Sequence, residues 1–142
     1  MYKVYLAINP LINKMLGYVN KEGVVYRSKT GLDDRLGKVE LSTGKIVEDR
    51  FGPDKVTGRV DMKTGKVYLS RLGPDEYVGR VDVKGHFYKH VPMGTDRYLG
   101  HVDPFISYAH SAAAMVLLLL PALEEEAQDG SQDSDQEKGS TS

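Results

Sequence analysis

Any chemistry in this chain has to come from four histidines and its carboxylates, because its 142 residues include no cysteine. His86 and His90 are four apart, His101 and His110 stand alone, and Asp33, Asp54, Asp75 and Asp96 recur at a spacing of 21. A histidine pair at i,i+4 suits a metal only on a helix. GHFYKH reads as a strand, where residues four apart lie about 13 Å from each other, too far to share one ion. The four aspartates in register suggest a carboxylate ring, but each sits in a turn segment (TGLDD, FGPDK, LGPDE, MGTDR), where Asp caps local amides. His110 lies in an apolar run. Its expected state is a hydrogen bond to a strand carbonyl or water, with a buried pH-sensitive switch as the sharper reading. There is no G-x-S-x-G elbow and no phosphate-cradling glycine loop. We therefore expect no catalytic, metal-binding or cofactor-binding residues, no cofactor, and no enzyme.

The elements that position these residues are written in the glycines. Thirteen of 15 precede the C-terminal segment, and all thirteen fall into three phased sets. Gly17, Gly37, Gly58, Gly79 and Gly100 open GYVN, GKVE, GRVD, GRVD and GHVD. Gly23, Gly44, Gly65 and Gly85 open GVVY, GKIV, GKVY and GHFY, and Gly31, Gly52, Gly73 and Gly94 mark the turns that follow. A fixed period near 21 residues means a repeat architecture. Two short alternating segments joined by a few turn residues make each repeat a β-hairpin.

Strand side chains alternate between faces. Val19, Val39, Val60, Val81 and Val102 then form one inward ring, and Val25, Ile46, Val67 and Phe87 a second. Lys38, Arg59, Arg80 and His101 share the outer face with Glu40, Asp61, Asp82 and Asp103, read as cross-strand ion pairs. Their interleaved signs argue against a nucleic-acid track. Tyr26, Tyr68 and Tyr88 point outward and cover the seams between hairpins.

KVYL at residues 3–6 matches KVYL at 66–69, the second half of a repeat, while GHVD at 100–103 is a first half without a second. The two halves are complementary, so the first and last strands can pair and close the ring, removing exposed edges. Four hairpins are continuous and a fifth would be split between the termini. About ten strands enclose more space than side chains alone can fill.

The next segment, PFISYAHSAAAMVLLLLPAL, supplies a filling. Asp103 reads as the helix N-cap, Pro104 as the first helical residue and Pro121 as the stop, giving a helix over about 104–120, roughly 25 Å long. It is apolar nearly all round, which means burial in protein or in lipid. The expectation is a central helix. The alternative is a membrane-associated segment in or on the bilayer, touching lipid through Leu117, Leu118, Leu119 and Leu120.

Residues 124–142 carry seven acids and one lysine, against 18 basic and 13 acidic residues in 1–123. We expect 1–123 to be the repeat domain and 124–142 a disordered acidic tail. No secretory signal is legible at the N-terminus, so the expected location is cytoplasmic.

Repeated GRVD…GKVY hairpins, half-repeats at both ends and an adjoining apolar segment resemble the four-fold β-flower family. The resemblance implies radially arranged β-hairpins forming a shallow barrel and brings no catalytic site to any residue. In outline, a barrel with a hydrophobic helix is also similar to the tubby C-terminal domain and the phospholipid scramblases, a likeness of fold alone. The expected fold is all-β with one helix: a closed ring, or shallow barrel, of about ten short antiparallel strands with a C-terminal apolar helix. The expected role is a non-catalytic binding or scaffolding module. Its partner would be a protein or a small apolar ligand, and nucleic acid is not expected.

Overall fold

A computed structural model describes residues 1–125. They form ten strands: β1 Tyr2–Asn9, β2 Ile12–Val19, β3 Val24–Arg27, β4 Asp34–Val39, β5 Lys45–Glu48, β6 Lys55–Val60, β7 Lys66–Leu69, β8 Glu76–Val81, β9 His86–Lys89 and β10 Arg97–Asp103. Each pairs antiparallel with its sequence neighbours, and β1 pairs with β10 to close a barrel. Val4 lies opposite Val102 and Leu6 opposite Gly100 at the closure. The two half-repeats thus make a fifth hairpin unit.

A bulge recurs in every unit just before the first-set glycine. Between β3 and β4, Val25 faces Gly37 while Tyr26 faces Arg35, leaving Leu36 as the extra residue. The same shift leaves out Leu16, Thr57, Val78 and Leu99. A bulge turns two successive side chains toward one face, so the bulged residue and the glycine both point inward. Glycine is required because a methyl at Gly37 would collide with the Val47 carbonyl oxygen and lie 3.1 Å from Leu117 Cδ1.

The helix begins later than the sequence suggests. Asp103 still pairs with Lys3 in the barrel, so its backbone is extended and it cannot cap a helix. The cap is Ser107, whose Oγ accepts the His110 backbone N–H, and α1 runs Tyr108–Ala114. A π-helical turn follows over Met115–Leu119, with the Leu120 N–H donating to the Met115 carbonyl. The chain stays helical through residue 125. Pro121 therefore does not end the helix. The widened π-turn makes room for a ring that an ordinary α-turn would press against the Leu117 carbonyl. The helix expected over 104–120 is thus found over 108–125. Most of the acidic tail expected over 124–142 lies outside the described residues.

Every residue from 109 to 119 is buried. These side chains and the inward valines, Ile46, Phe87 and Leu99 form one core cluster. The helix meets β2, β4, β6 and β8, alternate strands of the barrel. Each large apolar side chain removed from water contributes about 1.5–3 kcal/mol. No helix among the described residues is long and apolar enough to cross a membrane.

Candidate functional site

An up-and-down barrel sends alternate connections to opposite ends. The β2–β3, β4–β5, β6–β7 and β8–β9 turns lie at one end, with the start of the helix. The β1–β2, β3–β4, β5–β6, β7–β8 and β9–β10 connections lie at the other. The helix runs from the first end to the second. His110 bonds to the β2–β3 turn, and Glu125 lies 3.7 Å from Arg27 at the end of β3.

The histidines do not converge. His110 Nε2 lies 2.9 Å from the Lys21 carbonyl oxygen, and Nδ1 lies 2.6 Å from Ser107 Oγ. A carbonyl only accepts, so Nε2 carries a proton and donates to it, while Nδ1 shares a hydrogen bond with the serine hydroxyl. The hydrogen bond anticipated for it thus forms, but to a turn carbonyl and a serine hydroxyl rather than to a strand carbonyl or water. His86 lies 3.5 Å from Asp82 and His90 3.6 Å from Asp96. His101 stacks on Tyr5 at 4.9 Å, and its pKa is lowered chiefly by burial, against a pull upward from Asp103. Among the described residues no group of three His, Asp or Glu side chains is placed to hold a metal.

The acidic residues exchange the roles expected of them. The residue after three of the G-x-V segments caps the short turn: Asp82 Oδ1 accepts the Lys84 and His86 N–H groups, both at 2.9 Å, and Asn20 does the same for Glu22 and Val24. Asp61 accepts the Lys63 N–H at 2.8 Å, the leading cause of its lowered carboxyl pKa. Three of the four phased long-loop aspartates, Asp33, Asp75 and Asp96, instead tie the loops to the barrel wall. Asp75 accepts from Arg59 Nε at 2.9 Å and Asp96 from Arg80 Nε at 3.2 Å. The same guanidinium groups lie 4.1 Å over the rings of Tyr68 and Tyr88. Asp33 accepts the Tyr18 hydroxyl at 2.8 Å, the main reason that phenol's pKa is raised. Of the four, Asp33 does cap a local amide, that of Lys29.

With their bases anchored, the long loops present a feature the sequence analysis did not single out. Leu11, Leu32, Phe51, Leu72 and Met93 are 92, 91, 111, 105 and 106% exposed, one on each of the five loops at this end. The apolar residues on the turns at the opposite end are better covered: Leu41 and Met62 are about two-fifths exposed and pack over Gly23 and Gly44, and Val83 is 66% exposed. At the long loops, by contrast, nothing lies within 4 Å of a methyl placed on Gly31, Gly52 or Gly73. Met93 also holds φ at 61°, a left-handed conformation that costs a bulky residue about 1–2 kcal/mol. The sequence signal was available: an apolar residue beside each third-set glycine, outside any strand alternation.

Clefts of about 400 and 280 Å³ here share Leu69, Leu120, Arg71 and Glu124, and one of about 290 Å³ lies against Leu6, Leu16 and Leu118 beside Arg27 and Glu125. Leu117, Leu118 and Leu119 themselves are 6, 1 and 0% exposed, so the apolar surface at this end belongs to the loops. No protein-family model matches the chain, and searches of curated proteins and of solved structures find no match.

Proposed function

We propose that this protein is a non-catalytic binding module in which the C-terminal helix runs along the barrel axis as a built-in plug and the long-loop mouth is the recognition face. The observation that carries this reading is the ring of five apolar tips, each more than nine-tenths exposed, with one on each of the five loops at the same end. A filled barrel suits a scaffold rather than a ligand cage. Helix burial against alternate strands supports the plug, and the ties from Arg59, Arg80 and Tyr18 hold the loop bases rigid so that the tips need little ordering on contact. Isolated exposed apolar residues are ordinary, but five placed on one face mark an interaction surface. The likeness to the β-flower family is proposed on the same closed ring of hairpins, with five units here.

Site-specific photo-crosslinking in producing cells tests this. A benzophenone amino acid at position 51, on the long-loop mouth, should yield crosslinks to protein or lipid, and the same group at position 83, at the opposite end, should not. Silence at 51, or crosslinks from 83 alone, contradicts the reading.

A further inference from the structure

Resting on that reading of the mouth, we propose that its partner is the surface of a neutral, zwitterionic lipid bilayer, entered by the side chains of Leu11, Leu32, Phe51, Leu72 and Met93.

The form of the crown favours a fluid partner. The five side chains stand singly at the tips of five separate loops, each more than nine-tenths exposed. They are set among polar or turn residues such as Arg50, Gly52 and Asp33. A protein partner would need five matching hollows arranged around a ring, since tight protein interfaces depend on shape complementarity. An interface of headgroups and upper acyl chains needs no such match. Large apolar side chains there bind in proportion to the area they bury. Met93 makes the same point from the backbone. Its left-handed φ of 61° is a site where glycine would be unstrained, so the strain accompanies an exposed, flexible apolar side chain at the tip.

Charge selects the lipid class. The long-loop carboxylates are largely matched: Asp49 pairs with Arg35, Asp75 with Arg59, Asp96 with Arg80 and Glu76 with Arg71. The long loops and the strand residues that flank them carry seven Lys and Arg against eight Asp and Glu, so the rim lacks the strong positive excess that anionic headgroups recruit. The helix reaches this end carrying Glu124 and Glu125, and residues 126–142 add five acids and one lysine. That concentration of negative charge opposes an anionic surface. It opposes a second copy docked mouth to mouth as well, since Glu124 and Glu125 of both copies would face each other. A neutral bilayer is the partner whose chemistry fits both the apolar tips and the acidic segment.

The test uses the full chain and phosphatidylcholine vesicles. The protein has no tryptophan, so Phe51→Trp and Val83→Trp report from the two ends separately. Phe51→Trp should shift to the blue on vesicle addition and be quenched by brominated phosphatidylcholine, with Val83→Trp unchanged. Replacing all five tips with serine should reduce vesicle partitioning at least about 100-fold. The tips make no core contacts, so circular dichroism and the melting temperature should be retained. Binding should be little affected by salt, and weaker on vesicles containing phosphatidylserine. No binding to neutral vesicles, or binding that leaves Phe51→Trp unshifted, overturns the inference. So does a concentration-dependent dimer lost in the serine variant, which identifies a second copy as the occupant. If vesicles fail while position 51 crosslinks to a protein, the lipid partner is wrong and the binding module stands. Silence of position 51 in both assays removes the module as well.

Discussion

His110 Nε2 donates to the carbonyl of Lys21 across a sequence separation of 89 residues, fastening the first turn of the helix to the β2–β3 turn. The pair fixes where the helix enters the core. Together with the Ser107 hydroxyl at Nδ1, it gives both ring nitrogens of a buried histidine a partner.

Replacing His110 with phenylalanine keeps the ring and deletes both bonds, leaving the Lys21 carbonyl and the Ser107 hydroxyl to find other partners. The expected loss is about 1–3 kcal/mol, read as a shift of the urea unfolding midpoint at constant slope. An unchanged midpoint would show that the bond adds nothing to helix seating.

Ser111 gives the opposite sign. It is fully buried and its hydroxyl has no hydrogen-bond partner. Ser111→Ala removes an unsatisfied group and improves helix propensity, so it should raise stability by about 1 kcal/mol. Destabilisation would mean that the hydroxyl has a partner.

The glycine sets make different demands. Gly37 faces inward under the Val47 carbonyl and beside Leu117, whereas Gly52, at φ +100°, has open space around it. Gly37→Ala should cost upwards of about 3 kcal/mol through overpacking, and Gly52→Ala about 1–2 kcal/mol through backbone strain alone. Thermal melts of the two variants side by side decide this, and equal costs would refute the close approach of Gly37 to the Val47 carbonyl.

Which of these relationships were legible from residues alone follows from their physics. Phased glycines and complementary half-repeats revealed the ring and its closure, because glycine reports backbone demands directly. The bulge residues Leu16, Leu36, Thr57, Val78 and Leu99 stayed hidden, since strict alternation sends them outward. Asp103 and Pro104 carry good helix-start chemistry, yet pairing with β1 outweighs it. Pro121 reads as a stop unless a π-turn precedes it, and no local signal announces one. The acids of both turn types have the same chemistry. Which of them meets an arginine depends on strand length and loop reach, so Asp75 and Asp96 were assigned to amides they do not cap.

Acid should weaken the fold through His101. Its folded-state pKa lies below the ordinary 6.5 because burial disfavours the imidazolium. Below that value the unfolded chain takes up the proton first, so stability is fully present above about pH 6.5 and falls as the pH drops toward the folded-state pKa. Asp61 acts with the same sign but only near and below its ordinary 3.8. Urea midpoints measured from pH 7.5 to 5 should decline, and His101→Gln should flatten part of that slope. A variant with an unaltered slope would assign the effect elsewhere.

The central claim, a barrel threaded by its own helix, is tested most directly by methyl NOEs in the intact protein. Leu117 δ-methyl protons should show cross-peaks to Gly37 on β4, and the Met115 ε-methyl to Gly79 on β8, in one sample. These strands are not neighbours, so both sets require a helix between them. Cross-peaks to one side only, or to neither, would place the helix outside the ring and contradict the account.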